Sequence, residues 1–259
     1  MRRDDEHDAR DDAREELAPT LLGGRNPIRE ALKSGRDIDR LLVAQGELVG
    51  TALQIVAEAR ARGIVVQHVD RRKLDAMMPG HQGLIAQVPA EAYATVDSLL
   101  QRARDAGEAP LIVLLDGITD PHNLGAILRS AEAFGAHGVI TGKRRAVGLT
   151  PIAVKAAAGA ASHIGLARVT NIAQTVEELK KEGLWTVAAD ARGEDVGKQK
   201  LDGPLCVVIG DEGEGVSRLV RERCDQTLAI RLRGKVASLN ASVAAGILLF
   251  HASQTRIFP

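Results

Sequence analysis

The chain has 259 residues, of which 45% are hydrophobic and only 2% aromatic, and its 34 Lys and Arg balance 34 Asp and Glu. This composition predicts a soluble, cytoplasmic protein with one large or two modest domains, and no apolar run is long enough to span a membrane. Cys206 and Cys224 lack the spacing of a disulfide framework or a zinc site, so we expect packing roles for both and no bound metal.

The balanced charge conceals an uneven distribution along the chain. Residues 1–16 contain eight acidic and four basic side chains, and removing them leaves 30 bases against 26 acids. Because this excess is small, any affinity for nucleic acid must come from local clusters rather than from the overall field. Residues 1–18 are predicted to form a disordered charged tail because they lack apolar periodicity.

Residues 19–90 alternate helical and extended patterns and are predicted to form a small α/β domain. The pattern indicates helices at 26–33 and 51–62 and strands at 38–43 and 64–69. Residues 91–109 are polar and rich in alanine, with Gly107 inside them and Pro110 just beyond. We interpret residues 91–109 as a linker that contains one short helix.

Residues 110–259 are predicted to form a doubly wound α/β domain. Short apolar segments alternate with helical patterns, as expected for parallel strands that are covered on both faces. The predicted strands are residues 111–115, 138–141, 165–169, 185–189, 205–209 and 227–230. Ligands of such sheets bind beyond the carboxyl ends of the strands, so the segments that follow the strands are candidate sites.

The first candidate segment runs from Asp116 to Arg129 and turns from a predicted strand into a helix. A helix N-terminus exposes backbone N–H groups that suit an anion such as an RNA phosphate. Asn123 and Arg129 are the candidate functional residues of this segment. Taken alone, it is better explained by a helix cap at Asn123 and a solvated Arg129, because caps are far commoner than active sites.

The second segment, residues 205–220, again places a glycine-rich turn between a strand and a helix. Gly210, Gly213 and Gly215 follow the order G-x-x-G-x-G, which differs from the dinucleotide fingerprint G-x-G-x-x-G, and no G-x-x-x-x-G-K-[ST] loop occurs in the chain. Nicotinamide and nucleoside triphosphate chemistry are therefore disfavoured. Capping of the helix is the simpler explanation for the acidic residues of the turn, such as Glu212.

The third segment precedes the last predicted helix, which Ser238 or Asn240 could cap. Three cations come shortly before these two residues: Arg231, Arg233 and Lys235. Charged loops are usually only solvated. A cationic cluster beside a helix start is nevertheless a candidate for phosphate contacts, because both features attract anions.

Together, the three segments resemble the motifs of the SpoU/TrmH branch of the SPOUT RNA ribose methyltransferases. They read N-L-G-A-I-L-R at 123–129, I-G-D-E-G-E-G at 209–215 and S-L-N-A-S at 238–242, in the order of that family. Residues 21–88 also resemble the substrate-binding domain of the family's 23S ribosomal RNA guanosine methylases, through G-R-N-P-I-R-E-A-L at 24–32 and H-Q-G-L at 81–84. Three ordered motifs are much more specific than one.

This resemblance implies a trefoil-knotted parallel sheet, S-adenosylmethionine as the cofactor, and a homodimer whose active site is completed across the interface. It implies a catalytic group that consists of Asn123, Arg129, Glu212, Ser238 and Asn240. In this group Arg129 grips an RNA phosphate, and Glu212 orients Arg129 or the substrate. The chain departs from the family pattern at Arg231-Leu232, where Pro-Met is common.

The resemblance also implies binding residues for the cofactor and for RNA. The implied cofactor contacts are Gly210, Ile230 and Leu239. The candidate RNA contacts are Arg25, Asn26, His81, Arg231, Arg233 and Lys235.

The implied reaction is 2′-O-methylation of a ribose in RNA. A guanosine of 23S ribosomal RNA is the favoured target, by analogy with family members that carry the extra domain at 19–90. Two alternatives are a transfer RNA ribose methyltransferase and a catalytically silent RNA-binding protein on the same fold.

Overall fold

The computed structural model describes residues 20–46 and 48–256. Contacts divide the chain into two compact units. The first extends to Ala92 and includes Gly148–Ile152, and the second consists of Tyr93–Val147 and the chain from Ala153 onward. The tail predicted at residues 1–18 lies outside the described residues.

The first unit is a four-stranded mixed sheet with helices. Its elements are β1 (Thr20–Gly23), α1 (Arg25–Lys33), β2 (Arg40–Ala44), α2 (Thr51–Ala61), β3 (Val65–Val69), α3 (Arg71–Met77) and β4 (Leu84–Val88). The strand order is β1-β4-β2-β3, in which β4 is antiparallel to both neighbours and β2 is parallel to β3. Apolar side chains are buried in two clusters, so the predicted α/β pattern is confirmed.

The second unit contains the remaining elements, apart from the first two residues of α6. Along the chain they are α4 (Val96–Ala106), β5 (Leu111–Asp116), α5 (Pro121–Ala133), β6 (Gly138–Gly142), α6 (Pro151–Ala156), β7 (Gly165–Val169), α7 (Ile172–Lys181), β8 (Trp185–Asp195), β9 (Leu205–Gly210), α8 (Arg218–Arg223), β10 (Gln226–Ala229) and α9 (Ala241–Thr255). Within the described ranges, none of the helices is long and apolar enough to cross a bilayer.

All six predicted strands of the second unit are present, and they form one parallel sheet in the order β10-β8-β9-β5-β6-β7. The predicted parallel α/β fold is therefore confirmed, whereas the trefoil knot stays a prediction. Strand β8 is longer than predicted because it shifts register and continues along β10. Gly193 permits this close approach, since a Cβ there would lie 2.5 Å from the Thr227 carbonyl.

Helix α4 lies within residues 91–109, which the sequence suggested to be a linker. Its Leu99, Leu100 and Ala103 are buried, and Leu99 packs tightly against the parallel sheet of the second unit. A Cβ on Gly138 or Gly165 would lie within 2.6 Å of Leu99 side-chain atoms. The helix is thus an integral layer of the second unit, because its apolar stripe is covered by that sheet.

Candidate active site

Asn123, Glu212 and Asn240 meet in one hydrogen-bonded cluster. Asn123 Nδ2 donates to Glu212 Oε1 over 2.8 Å, and Asn240 Nδ2 donates to Asn123 Oδ1 over 2.8 Å. Asn240 Nδ2 also donates to Glu212 Oε1. Each of the three predicted motifs therefore contributes one side chain to the same place. We call these three residues the polar cluster.

Two helix starts position the amides of the polar cluster. Asp120 caps α5 by accepting a hydrogen bond from the His122 N–H over 3.0 Å, with Pro121 in the first helical position. This fixes the first turn, which carries Asn123. Asn240 itself caps α9, because its Oδ1 accepts hydrogen bonds from the backbone N–H of Ser242 at 2.9 Å and of Val243. Asn240 therefore caps the helix with its Oδ1 atom and joins the polar cluster with its Nδ2 atom.

The loop that follows β9 holds Glu212 through its own backbone. Asp211 Oδ1 accepts hydrogen bonds from the N–H groups of Gly213 and Glu214, both at 2.7 Å. At the start of the loop, a Cβ on Gly210 would lie only 1.9 Å from the Gly215 carbonyl carbon. The close return of the chain therefore requires glycine at position 210.

A cavity of about 270 Å³ opens beside this loop. Gly210, Ile230 and Leu239, the residues predicted to contact a cofactor, all line it, as does Ser238. Aliphatic side chains from β9 and β10 contribute to the walls, among them Ile209 and Leu228. The cavity combines apolar walls with exposed backbone groups, which is the usual character of a small-molecule site.

Asp190 and Arg192 also line this cavity, and the sequence analysis did not identify them. Arg192 binds both carboxylate oxygens of Asp190, with its Nη2 2.7 Å from Oδ2, and Arg221 Nη1 lies 3.0 Å from the same oxygen. These hydrogen bonds hold the pKa of Asp190 well below its usual range. The sequence could have indicated both residues, because they lie in the second half of β8, at the carboxyl edge of the sheet where ligands bind.

A second cavity, of about 500 Å³, is lined by the same loop. Glu212 lines both cavities, and Asn123 lines the second. Arg144 and Arg145, from the segment after β6, line the second cavity too. The polar cluster is therefore in contact with two neighbouring spaces at the carboxyl ends of the strands.

Arg129 is not part of the polar cluster. It lies six positions after Asn123 on α5, which places it about 120° around the helix axis. It is exposed, it lines neither cavity, and no hydrogen bond or ion pair joins it to another part of the chain that the structure describes. Within one chain Glu212 contacts the two asparagines rather than Arg129, so the expectation that Glu212 orients Arg129 or the substrate stays a prediction.

The three cations of the third segment are exposed. Arg231 Nη2 donates to the Gly193 carbonyl over 3.0 Å, so this guanidinium joins its loop to β8. Arg233 and Lys235 have no polar partner among residues 20–46 and 48–256. Of the three cations in this segment, Arg233 and Lys235 therefore keep all their hydrogen-bond donors available for a ligand.

The predicted RNA contacts of the first unit differ in accessibility. His81 is only 2% exposed, its Nδ1 accepts the Gly83 N–H over 2.9 Å, and its Nε2 lies 2.8 Å from Asp75 Oδ1. The prediction that His81 contacts RNA is therefore wrong, because both ring nitrogens already have partners in the fold. Arg25 is half-buried, whereas Asn26 is exposed on the first turn of α1.

No group of three or more His, Cys, Asp or Glu side chains in the described ranges could hold a metal ion. Cys206 is buried and Cys224 half-buried. Burial raises the pKa of the Cys206 thiol, and it raises that of Cys224 to about 12. Both side chains are therefore neutral packing groups near neutral pH.

Two family models match the chain. The model of the SpoU rRNA Methylase family matches residues 110–250, which is more than half of the chain. The model of RNA 2′-O ribose methyltransferase substrate binding matches residues 21–94. Among curated relatives, YacO of Bacillus subtilis (strain 168), a TrmH family tRNA/rRNA methyltransferase by name, is 48% identical over 235 residues, covering 90% of this chain and 94% of its own.

Solved structures are similar as well. AviRb, a SpoU methyltransferase from Streptomyces viridochromogenes in complex with AdoMet, is 28% identical with a TM-score of 0.57, covering 93% of this chain and 92% of its own. An AdoMet-bound rRNA methyltransferase from Sinorhizobium meliloti is 25% identical (TM-score 0.55; 93% and 89% covered). The A. aeolicus TrmH/SpoU tRNA modifying enzyme is 27% identical (TM-score 0.52; 61% and 83% covered). With these similarities and a family model that spans over half its length, the chain belongs to the SpoU rRNA methylase family.

Proposed function

We propose that the protein transfers a methyl group from S-adenosylmethionine to a ribose 2′-hydroxyl of ribosomal RNA, at a guanosine of 23S RNA. The observation that carries this proposal is the polar cluster, in which Asn123, Glu212 and Asn240 meet, with Glu212 lining both cavities and Asn123 lining the second. A transferase needs this arrangement, because donor and acceptor must approach each other from separate sites.

The first cavity is the proposed cofactor site. Its aliphatic walls suit a purine ring, and backbone groups at Gly210, Ile230 and Leu239 surround it. The solved relatives AviRb and the S. meliloti enzyme hold AdoMet, which supports this assignment. When bound, S-adenosylmethionine supplies a sulfonium methyl group: the ribose oxygen forms a bond to that carbon, the carbon–sulfur bond breaks to leave a neutral thioether, and the hydroxyl proton is released.

The chain's own residues orient the hydroxyl and favour loss of its proton. The amides of Asn123 and Asn240, held by Glu212, position the ribose at the wall between the cavities, and Ser238 contributes from the lining of the first cavity. Arg129 binds the adjacent RNA phosphate. Because a guanidinium stays protonated in proteins, Arg129 acts as an electrostatic grip, and the phosphate it holds shares the departing proton.

Arg129 reaches this site from a second copy of the chain in the proposed homodimer. Val243, Ile247 and Phe250 are 48%, 37% and 51% exposed, and their spacing places them on one face of α9. Helix α9 packs against α5, since a Cβ on Gly246 would lie 3.5 Å from Ser130 Oγ. An exposed apolar face on α9, which packs against the helix that carries the unpaired Arg129, fits a two-fold interface that carries Arg129 to the partner's site.

Ribosomal RNA is favoured over transfer RNA by the first unit. The S. meliloti rRNA enzyme matches 93% of this chain, whereas the A. aeolicus tRNA modifying enzyme matches only 61%. The extra unit matches a substrate-binding model, so it suits a substrate that needs contacts beyond the methylation site. Such a substrate implies a cytoplasmic enzyme.

The proposal is tested by mapping 2′-O-methylation of ribosomal and transfer RNA in cells with and without the gene. Loss of methylation at one guanosine of 23S RNA is expected, and purified protein with labelled S-adenosylmethionine should restore it. Loss at a transfer RNA position would assign the alternative substrate. A protein that binds RNA but shows no heat of S-adenosylmethionine binding would be a silent RNA-binding protein.

A further inference from the structure

The second cavity contains side chains to which the proposed function gives no task. It lies at the carboxyl ends of β9, β5 and β6, which are neighbours in the sheet. Its walls are the loops at 116–120, 142–145 and 211–217. The two arginines of the middle loop, Arg144 and Arg145, lie outside all three family motifs.

The charges in this cavity are paired unequally. Its acidic side chains mostly accept hydrogen bonds from the fold: Asp116 from the Ser217 N–H at 2.8 Å, Asp120 from the His122 N–H, Asp211 from two loop N–H groups, and Glu212 from the two asparagines. Arg144 and Arg145 are exposed, and neither has a polar partner within the described part of the chain. The cavity therefore offers two adjacent, uncommitted guanidinium groups.

The backbone at Arg145 is unusual for a residue with a side chain. Its φ is +52°, in the left-handed region where glycine or asparagine is normally found. A strained position that carries a large charged residue indicates a functional demand on the side chain. Here the turn keeps Arg144 and Arg145 at the rim of one cavity.

The remaining wall chemistry fits a nucleotide. A cavity of about 500 Å³ is large enough for a small organic ligand, and Ile118 and Ile172 give it apolar surface. None of the aromatic residues that the structure describes lines it, but a planar guanidinium can itself stack on a base. Two guanidinium groups also match the oxygens of one phosphate in paired hydrogen bonds.

We propose that the second cavity receives the target nucleotide of the RNA, and that Arg144 and Arg145 bind a phosphate next to the methylated ribose. The ribose then lies against Asn123 and Glu212, at the wall that the two cavities share. This inference rests on the proposed function and adds a substrate site to it. Arg144 and Arg145 are positioning residues, because they bind the RNA backbone rather than the reacting hydroxyl.

The test is the double variant Arg144→Gln with Arg145→Asn, in the full-length protein. Asparagine tolerates the left-handed backbone, so folding is retained. Ribosomal RNA from cells that lack the gene is the substrate, and transfer from labelled S-adenosylmethionine is measured at several salt concentrations. We expect KM for RNA to rise about 10-fold or more with kcat little changed, and the slope of log affinity against log salt to fall by about 1 to 2.

Arg104→Gln with Lys181→Gln is the matched control, since it removes two exposed cations of the same unit that line neither cavity. It should leave KM and the salt slope unchanged, and all three proteins should bind S-adenosylmethionine equally. An active wild type combined with an unchanged KM and salt slope in the double variant overturns this proposal alone. A wild type that methylates no RNA overturns the proposed function and this site with it.

Discussion

Asn123 donates its Nδ2 hydrogen to Glu212 Oε1 over 2.8 Å, although 89 positions separate the two residues in the chain. Asn240, another 28 positions beyond Glu212, bonds to both. Two helix starts, which carry the asparagines, and the loop that carries Glu212 thus meet at one carboxylate oxygen, although they are far apart in the chain. Such a cluster is sensitive to the loss of a single donor, because its members satisfy one another.

Asn240→Ser separates the capping role of Asn240 from its role in the cluster. Serine is a good helix cap but lacks the amide donor, so unfolding free energy should stay within about 1 kcal/mol of wild type. Methyl transfer should fall about 100-fold or more, as for the loss of one positioning hydrogen bond in an active site. Chemical unfolding and single-turnover transfer are the two measurements.

Asn171→Ala is the control for this change. Asn171 caps α7 by accepting the Gln174 N–H over 3.1 Å, and its loss should reduce stability by about 1 kcal/mol without slowing transfer. Equal transfer rates in wild type and Asn240→Ser would remove Asn240 from the reaction.

Gly210→Ala should abolish binding of S-adenosylmethionine. The added Cβ would lie 1.9 Å from the Gly215 carbonyl carbon, which forces the loop after β9 away from the first cavity. Gly213→Ala is the matched control, since its Cβ would meet only Asp211 Oδ1 at 3.5 Å. Calorimetric titration checks both, and normal binding by Gly210→Ala would place the cofactor elsewhere.

Arg129→Ala should abolish methyl transfer and change cofactor affinity by no more than a few fold. If Arg129 acts in the partner's site, mixing this variant with Asn240→Ser should restore activity. Random exchange makes half of the dimers mixed, with one intact site each, so about a quarter of wild-type activity is expected. No recovery in a mixture whose heterodimers are verified by native mass spectrometry would confine Arg129 to its own chain.

Stability should depend on pH through His137. Burial lowers the pKa of His137, an effect that Glu108 opposes and Arg256 reinforces. The unfolded chain, with an imidazole pKa of about 6.5, binds the proton more readily, so stability is complete above that pH and is lost as pH falls through it. Urea unfolding between about pH 8 and pH 5 measures this slope.

His137→Asn keeps an acceptor for the Leu111 N–H and removes the titrating ring, so it should flatten this pH dependence. His163→Asn, which removes an exposed imidazole of the same unit, should leave the slope as it is. A slope that persists in His137→Asn would assign it to another group.

The strands could be predicted because local pattern determines them, whereas the motif residues were identified by their resemblance to a known family. Buried parallel strands read as apolar runs such as 111–115, and the ends of these strands indicated which segments were candidate sites. Periodicity could not place α4 against the second sheet, since the fit depends on Gly138 and Gly165 of distant strands. Nor could it show that His81 is buried, because a histidine in a turn motif looks the same in a ligand site and in a structural one.

Arg144 and Arg145 could not be recognised as candidate ligand-binding residues from the sequence. Two arginines after a strand are common in solvated loops. These two stand out only because every carboxylate that lines the cavity, except Glu214, already accepts hydrogen bonds from the fold and leaves the arginines without an acidic partner. Arg129 is the opposite case, because its motif predicted a catalytic role while the fold of one chain places it away from the cluster.

Asn240 arrives at the cluster with α9, the last helix of the described chain. While the protein is being synthesised, the segments that carry Asn123 and Glu212 leave the ribosome first, and the third member of the polar cluster is missing until the segment that carries Asn240 has followed. A nascent chain that has not yet exposed α9 therefore lacks a complete polar cluster. The last strand, β10, also precedes α9, so both sheets can form before the polar cluster is complete.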